Sequence, residues 1–232
     1  AKFVLPLIIT ACLTRRLGPE SYGVISYLTP VMGYFILLFD FGFDFSATKK
    51  ISQNRSNKEY IEKTIASVYT AKILLVPIGF IFLLILFFCV ELLREYFLLT
   101  VLYYISTAAQ IFIPDFLYRG LEKMEGITKR YILAKFITAV MIFVTVQDDR
   151  ELIIIPVAYL IGTVIAAVYT NHHMVKKMGY RFSLAPIKDA LSELKVSSIY
   201  FMSTFASTAL SVTSTFVMGI VGMPVEEIAY WG

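Results

Sequence analysis

Long apolar runs without a charged residue dominate this chain of 232 residues. Five such runs lie between Glu20 and Asp40, between Lys72 and Glu91, between Glu95 and Asp115, between Glu151 and His172, and between Lys195 and Glu226. A weaker run is interrupted only by Lys135, and another opens the chain and stops at Arg15. A helix needs about 20 apolar residues to cross the ~30 Å hydrocarbon layer of a membrane. The pattern predicts an all-α, polytopic transmembrane helix bundle with about seven spans, near residues 1–14, 22–45, 65–90, 96–118, 131–147, 152–171 and 196–221.

The composition excludes several other classes of protein. The chain is 58% hydrophobic and 16% charged, with a mean hydropathy of +0.73, which leaves too few charges to cover a soluble domain of this size. The apolar runs do not alternate as barrel strands do. The basic residues show no pattern typical of nucleic-acid binding. His172 and His173 lack companion ligands at metal spacing, and no phosphate-binding glycine loop is present. We therefore expect no nucleic-acid partner, no metal and no cofactor.

The basic residues between the predicted spans indicate an orientation. Fourteen Lys and Arg residues lie in the loops on one side, and only Arg15, Arg16, Arg94 and Arg150 lie on the other. The positive-inside rule places the side with fourteen, and with it the N-terminus, in the cytoplasm. Arg15 and Arg16 lie on the opposite, non-cytoplasmic side, where this rule disfavours basic residues. They are either tolerated there or held inward for a purpose.

Several charged residues fall inside the spans or at their ends. Asp40 and Asp44 lie one helical turn apart near the end of span two. Asp115 lies near the end of span four, Lys72 at the start of span three, and Lys135 within span five. Such charges are costly in hydrocarbon and normally face a partner or water. Two interpretations stay open: the side chains reach the membrane interface, or they face an internal polar cavity.

The C-terminal part of the chain has two further features. Residues 183–195 have apolar residues at helical spacing and Pro186 near the start, which predicts a short amphipathic helix at the membrane interface. In span seven, small and hydroxyl residues recur every four positions, at Ser203, Ser207, Ser211, Thr215 and Gly219. This stripe fits either close helix packing or the wall of a polar cavity.

Three segments, in this order along the chain, resemble a known family. They are LTRRLGPESYG at residues 13–23, DFGF at 40–43 followed by SATK at 46–49, and PDFLYRGLEKM at 114–124. They are similar to motifs of the Wzx-type O-antigen and polysaccharide flippases, within the multidrug, oligosaccharidyl-lipid and polysaccharide exporter superfamily. In the third segment Phe116, Tyr118 and Arg119 stand where the family usually has Trp, Phe and Gln. The tail from Gly219 to Trp231 is similar to the start of the family's eighth helix.

The resemblance implies about twelve helices in two bundles. We expect residues 1–180 to form an N-terminal six-helix bundle, and residues 181–232 to form the interfacial helix and the first helix of an incomplete second bundle. The chain starts at Ala1 and ends at Gly232 without a polar tail, from which we expect a fragment of a longer protein.

The resemblance also implies a function. It implies transport of undecaprenyl-pyrophosphate-linked oligosaccharide across the bacterial inner membrane by alternating access, with no enzymatic activity. The partners implied are the lipid bilayer, a polysaccharide polymerase and glycosyltransferases. An unpaired pyrophosphate in a low-dielectric cavity needs cations. The predicted substrate-binding residues are Arg15, Arg16, Lys135 and Arg119, and the predicted cavity or ion-coupling residues are Asp40, Asp44, Asp115 and Lys72.

Three other functions stay open at this point. A cation-coupled drug exporter of the same superfamily would use Asp40 or Asp44 as the coupling carboxylate. A membrane glycosyltransferase or polymerase would use Asp148 and Asp149, although the short outer loops leave little room for a catalytic surface. A purely structural membrane protein is the third.

Overall fold

The computed structural model describes residues 4–147 and 151–221, without the side chains of 4–8, 12, 209–216, 219 and 220. Within these residues the chain folds into ten α-helices and one 3₁₀ turn. The helices are α1 (Val4–Arg16), α2 (Pro19–Asp40), α3 (Phe43–Gln53), α4 (Lys58–Cys89), α5 (Glu91–Glu95), α6 (Phe97–Ala108), α7 (Asp115–Gly120), α8 (Met124–Thr145), α9 (Ile154–Lys176) and α10 (Ile187–Ile220), and the 3₁₀ turn is Ala109–Phe112. No strand occurs in these ranges. The all-α prediction is confirmed.

Four helical segments of the described chain are long and apolar enough to cross a membrane. They are Pro19–Gln53, Lys58–Cys89, Phe97–Gly120 and Ile154–Lys176. They correspond to the predicted spans two, three, four and six, which confirms a polytopic helix bundle. The predicted spans one, five and seven fall on α1, α8 and α10. Helix α8 has 22 residues, a length of about 33 Å. Its charged residues all lie between Glu125 and Lys135.

The helix ends follow from local sequence. Pro19 occupies the first turn of α2 after the extended Gly18, a position where proline loses no hydrogen bond. Asn57 caps α4, because its side-chain oxygen accepts a hydrogen bond from the Tyr60 amide at 3.0 Å. Such a cap satisfies one of the free amides of the first turn. These local rules set where the long helices begin.

A sharp break separates α2 from α3 at the DFGF segment. Phe41 has φ 44° and Gly42 has φ 78°, so two consecutive residues lie in the left-handed region and the helix cannot continue. A Cβ on Gly42 would lie 2.7 Å from the Tyr200 Cβ and 2.8 Å from the Phe201 amide nitrogen of α10. Gly42 therefore serves both the turn and the close approach of α10.

Helix α10 packs along α2, α3 and α4. The ring of Phe41 stacks on Phe201 at 4.5 Å between centroids. Ser46 and Ser197 hydroxyls are 2.6 Å apart, and Lys50 donates to Glu193 at 2.6 Å.

The sequence predicts a separate interfacial helix at 183–195, whereas the structure continues residues 187–195 into α10 without a break. Ala190 and Glu193 are buried, and the predicted apolar face at Ile187 and Leu191 is exposed. The prediction of a separate helix is wrong, because residues 187–195 are continuous with the rest of α10. Their position at the membrane interface stays a prediction. The division into domains at residue 180 stays a prediction.

Replacing Gly42 with alanine tests the contact between the α2–α3 break and α10. The variant should lose about 1–3 kcal/mol of stability, because alanine meets both an unfavourable φ and a steric overlap. Thermal unfolding of the detergent-solubilised protein measures it. Gly33→Ala is the matched control, since a Cβ there meets nothing within 4 Å and helical alanine is favoured over glycine. Equal unfolding temperatures for the two variants would contradict the account.

Candidate functional site

A cavity of about 530 Å³ lies between the helices. Seven charged side chains line it, namely Asp40, Asp44, Asp115, Lys72, Arg119, Arg130 and Lys135. The rest of the lining is polar or apolar: Thr29, Met32, Ile36, Phe39, Tyr103, Ser106, Thr107, Gln110, Ile111, Ile113, Ile127, Tyr131, Ala134, Tyr159, Thr163 and Ala166. An internal space with this many charges is unusual in an apolar bundle, where ionisable groups mark functional sites by default.

Three ion pairs hold six of the seven charges. Asp40 at the end of α2 lies 3.4 Å from the Lys72 ammonium of α4. Two further ion pairs also join a carboxylate to a cation on another helix. They are Asp44 of α3 with Arg119 of α7 at 2.9 Å, and Asp115 of α7 with Arg130 of α8 at 2.8 Å. Each pair joins two different helices, so the network connects five helices around the cavity.

Lys72 is the most enclosed of the cations, with 7% of its side chain exposed. Besides Asp40, its ammonium faces the rings of Phe43 at 6.0 Å and Phe116 at 5.7 Å. Aromatic faces attract a cation through their negative quadrupole. The carboxylate and the rings together offset the cost of burying the charge.

In the Asp115–Arg130 pair the guanidinium is buried, the carboxylate is half-buried, and neither has all its hydrogen bonds. The Arg130 side chain is 9% exposed and that of Asp115 is 23% exposed. Asp115 Oδ1 and Arg130 Nε are both buried and have no hydrogen-bond partner. Unmatched buried polar atoms are rare and costly, so this pair keeps unused bonding capacity beside the cavity.

Lys135 differs from the other cations of the cavity. In the described part of the chain no carboxylate lies within ion-pair distance of it, and its ammonium lies 4.7 Å from the ring centroid of Tyr159. Tyr103 also lines the cavity, and its buried hydroxyl has no hydrogen-bond partner.

The structure brings six of the eight predicted site residues to one cavity: Asp40, Asp44, Asp115, Lys72, Arg119 and Lys135. This fits an internal cavity better than side chains reaching outward to the interface. Arg130 was not among the predicted site residues, because it was counted with the basic loops between the predicted spans. Arg130, Tyr131, Ala134 and Lys135 all line the cavity, and this spacing marks one helical face, a signal that was present in the sequence.

Arg15 and Arg16 lie elsewhere. Arg16 donates to the carbonyl oxygens of Phe143 and Val146 at 2.5 and 2.7 Å, and its guanidinium lies 4.6 Å from the Phe143 ring. It therefore caps the C-terminus of α8, about 20 Å along that helix from Arg130. Arg15 is exposed. Neither arginine lines the cavity with Lys135, and their predicted role in substrate binding stays a prediction.

The remaining candidate residues contribute nothing to this cavity. His172 is exposed, His173 Nδ1 is 3.0 Å from the Tyr118 hydroxyl, and the described residues hold no cluster able to bind a metal ion. Ser203 and Ser207 of the α10 stripe are exposed and do not line the cavity. The side chains of the other stripe residues, the pair Asp148 and Asp149, and the tail at 222–232 lie outside the described residues.

An apolar helix bundle around a charged cavity defines a multi-pass membrane protein. A family described as polysaccharide biosynthesis protein matches residues 1–226, and the chain belongs to that family. The chain is 26% identical over 229 residues to a protein of Escherichia coli (strain K12) named "Putative O-antigen transporter". A protein of Shigella dysenteriae with the same name is 24% identical over 220 residues.

The alignments cover 97% and 90% of this chain but 54% and 52% of the two relatives. The chain thus spans about half the length of the curated relatives that it matches. No solved structure matches it significantly.

Removing one member of the Asp115–Arg130 pair should destabilise the protein strongly. Asp115→Asn or Arg130→Gln alone leaves a buried charge unpaired, which costs about 3–5 kcal/mol. The double variant should regain part of this loss. A double-mutant cycle on thermal unfolding in detergent measures the coupling.

The matched control is the exposed pair Arg55–Glu122, whose side chains are 42% and 70% exposed. Its single variants should unfold close to the wild-type temperature, since solvent screens such pairs. Additive losses at Asp115 and Arg130 would contradict the account.

Proposed function

We propose that this protein flips an undecaprenyl-pyrophosphate-linked oligosaccharide across the bacterial inner membrane by alternating access, for O-antigen or another surface polysaccharide. The observation that carries the proposal is the charged cavity inside an apolar bundle, in a chain of the polysaccharide biosynthesis protein family. The printed names of the two relatives support transport of O-antigen and not catalysis.

The chemistry of the lining fits a head group that is both polar and anionic. Hydroxyl and amide side chains such as Thr29, Ser106 and Gln110 can hydrogen-bond sugar hydroxyls. Cations can compensate the pyrophosphate. Many large apolar side chains on the outside of the helices are exposed, for example Phe88, Phe143 and Val168. They form a surface along which a prenyl tail can stay in lipid while the head group crosses.

The charges of the cavity suggest how binding and conformational change are linked. Six charges cancel within three ion pairs, and Lys135 adds one further positive charge. In this proposal Lys135 and Arg119 contact the substrate, whereas Asp40, Asp44, Asp115 and Lys72 shape the cavity or couple to an ion. A pyrophosphate diester carries about two negative charges, so we infer that a second cation comes from elsewhere in the full transporter or from an opened ion pair.

The proposed topology follows the loop charges. The N-terminus and the basic loops face the cytoplasm, and the ion pairs then lie toward the cytoplasmic ends of their helices. Polysaccharide polymerase and glycosyltransferases are the proposed partners, since they would supply and consume the transported unit.

A second candidate is a cation-coupled drug exporter. The observation that favours it is the presence of three carboxylates in one cavity, since a carboxylate can bind a proton or a sodium ion. Drug accumulation in cells that lack other pumps distinguishes the two candidates. A drug exporter would lower accumulation and leave surface polysaccharide unchanged.

The function is tested by substitution in the chromosomal gene. Lys135→Gln should reduce surface polysaccharide at least tenfold while the protein stays in the membrane at its normal level, because a buried anion loses its unpaired cation. Polysaccharide is measured by gel and antibody staining of whole cells. Lys129→Gln is the matched control, because Lys129 is an exposed lysine of the same helix paired with Glu125.

Normal polysaccharide in a strain that lacks the gene would overturn the proposed function, and normal polysaccharide in the Lys135→Gln strain would overturn the role of Lys135. Loss of polysaccharide in Arg15→Ala with normal display in Lys135→Gln would favour the arginines over the cavity as the binding site.

A further inference from the structure

The segment between α9 and α10, residues 178–186, is held along α4 and is called the strap below. It contains no helix or strand. The Arg181 amide donates to the Glu62 carboxylate at 3.0 Å, and the Ala185 amide donates to the Thr70 hydroxyl at 2.9 Å. Because α4 satisfies these backbone groups, the strap has a defined position on the surface of the bundle.

Residues 187–195, the start of α10, extend the same surface. Asp189 lies 3.6 Å from Lys63 of α4, and Ala190 and Glu193 are buried. One side of this segment is therefore fixed against the bundle. The opposite side is exposed, and its spacing marks one helical face; it consists of Ile187, Lys188, Leu191 and Lys195.

Large apolar side chains of the strap and of α10 are exposed on this surface. Phe182 is 46% exposed, although its ring lies 4.9 Å from the ring of Tyr69. The other three are 55–60% exposed and are Leu184, Ile187 and Leu191. These side chains form an apolar patch at the cytoplasmic end of α10 in the proposed topology.

Cations surround the apolar patch. The exposed cations are Lys58, Arg181, Lys188 and Lys195. Lys58 lies beside the strap, since a Cβ on Gly179 would be 3.7 Å from its ammonium. In the described part of the chain no carboxylate lies within ion-pair distance of these four side chains.

The carboxylates of the same region are mostly engaged. Glu62 accepts the Arg181 amide, and two others are paired with lysines, Asp189 with Lys63 and Glu193 with Lys50. Glu59 is exposed and offsets one of the four cations. The strap and the start of α10 therefore combine a positive charge excess with an apolar patch.

We propose that the strap and the outward face of residues 187–195 bind the head groups of anionic phospholipids, with the acyl chains along the apolar patch. The lysine stems can lie on apolar side chains while their ammonium groups reach the phosphates. Basic residues beside a membrane-spanning helix attract anionic lipids in this way. The assignment to the cytoplasmic leaflet rests on the topology given with the proposed function.

An acidic protein fits this surface less well than lipid does. The outward apolar face continues along α10 in Ile199 and Met202, which are 77% and 61% exposed. No charged residue interrupts the apolar run between Lys195 and Glu226. The surface therefore borders on the hydrocarbon layer, where a soluble partner would have to displace lipid.

Native mass spectrometry of the purified, detergent-solubilised protein tests the proposal, with phosphatidylglycerol and phosphatidylcholine as the probes. The wild type should bind phosphatidylglycerol at least tenfold more tightly. The double variant Lys188→Gln, Lys195→Gln should reduce this preference at least fivefold, because each basic residue near anionic lipid contributes roughly fivefold. The double variant Leu184→Ser, Leu191→Ser should weaken the binding of both lipids and keep the preference.

The matched control is the double variant Lys123→Gln, Lys129→Gln, which removes two exposed lysines from another loop and should keep the wild-type preference. All six positions are exposed, so the variants should unfold at the wild-type temperature. Equal affinity of the wild type for the two lipids would overturn the proposal, and so would equal losses in the two lysine variants. A wild type that binds a polyglutamate peptide but not phosphatidylglycerol would overturn the lipid assignment.

The outcome is separable from that of the proposed function. If the lipid preference depends on Lys188 and Lys195 but surface polysaccharide does not depend on the gene, the lipid surface stands and the transport function is wrong. If polysaccharide depends on the gene but the preference does not depend on these lysines, the function stands and the lipid surface is wrong.

Discussion

The three ion pairs of the cavity are the constraint on which this structure depends. A charge within an apolar bundle must find a partner or reach water, because hydrocarbon offers neither water nor counter-ions. Here the partners lie on different helices, so that α2 is joined to α4, α3 to α7, and α7 to α8. The same contacts that neutralise the charges hold the helices around a polar space. The three ion pairs therefore stabilise the helix bundle and maintain the cavity at the same time.

Helix α3 connects this cavity to α10. Asp44 near its start binds Arg119 at the cavity wall, and Ser46 and Lys50 contact Ser197 and Glu193 of α10. The break at Phe41 and Gly42 gives α3 a direction of its own and lets α10 approach. A displacement of α3 would change the ion pair and the α10 contact together, which is a physical route between the cavity and the end of the described chain.

Much of the fold and part of the site could be predicted from the sequence. The hydropathy pattern predicted the long helices, and the helical spacing of Asp40 and Asp44 predicted that they share one face. The partner of each charge could not be predicted, because it depends on how helices distant in the sequence pack. Arg16 illustrates this, since only tertiary structure places it at the C-terminus of α8. The buried face of α10 was also missed, because Glu193 packs inward through its bond with Lys50.

The central claim is that water reaches a cavity inside the bundle, and cysteine accessibility tests it most directly. In a background with Cys12 and Cys89 replaced by serine, Thr163→Cys places a thiol in the cavity, and Val168→Cys places one on the exposed outer face of the same helix. A charged maleimide applied to native membranes should label Thr163→Cys and leave Val168→Cys unmodified in lipid, because only a hydrated thiol ionises and reacts. Equal reactivity at both positions, or labelling of Val168→Cys alone, would contradict the account.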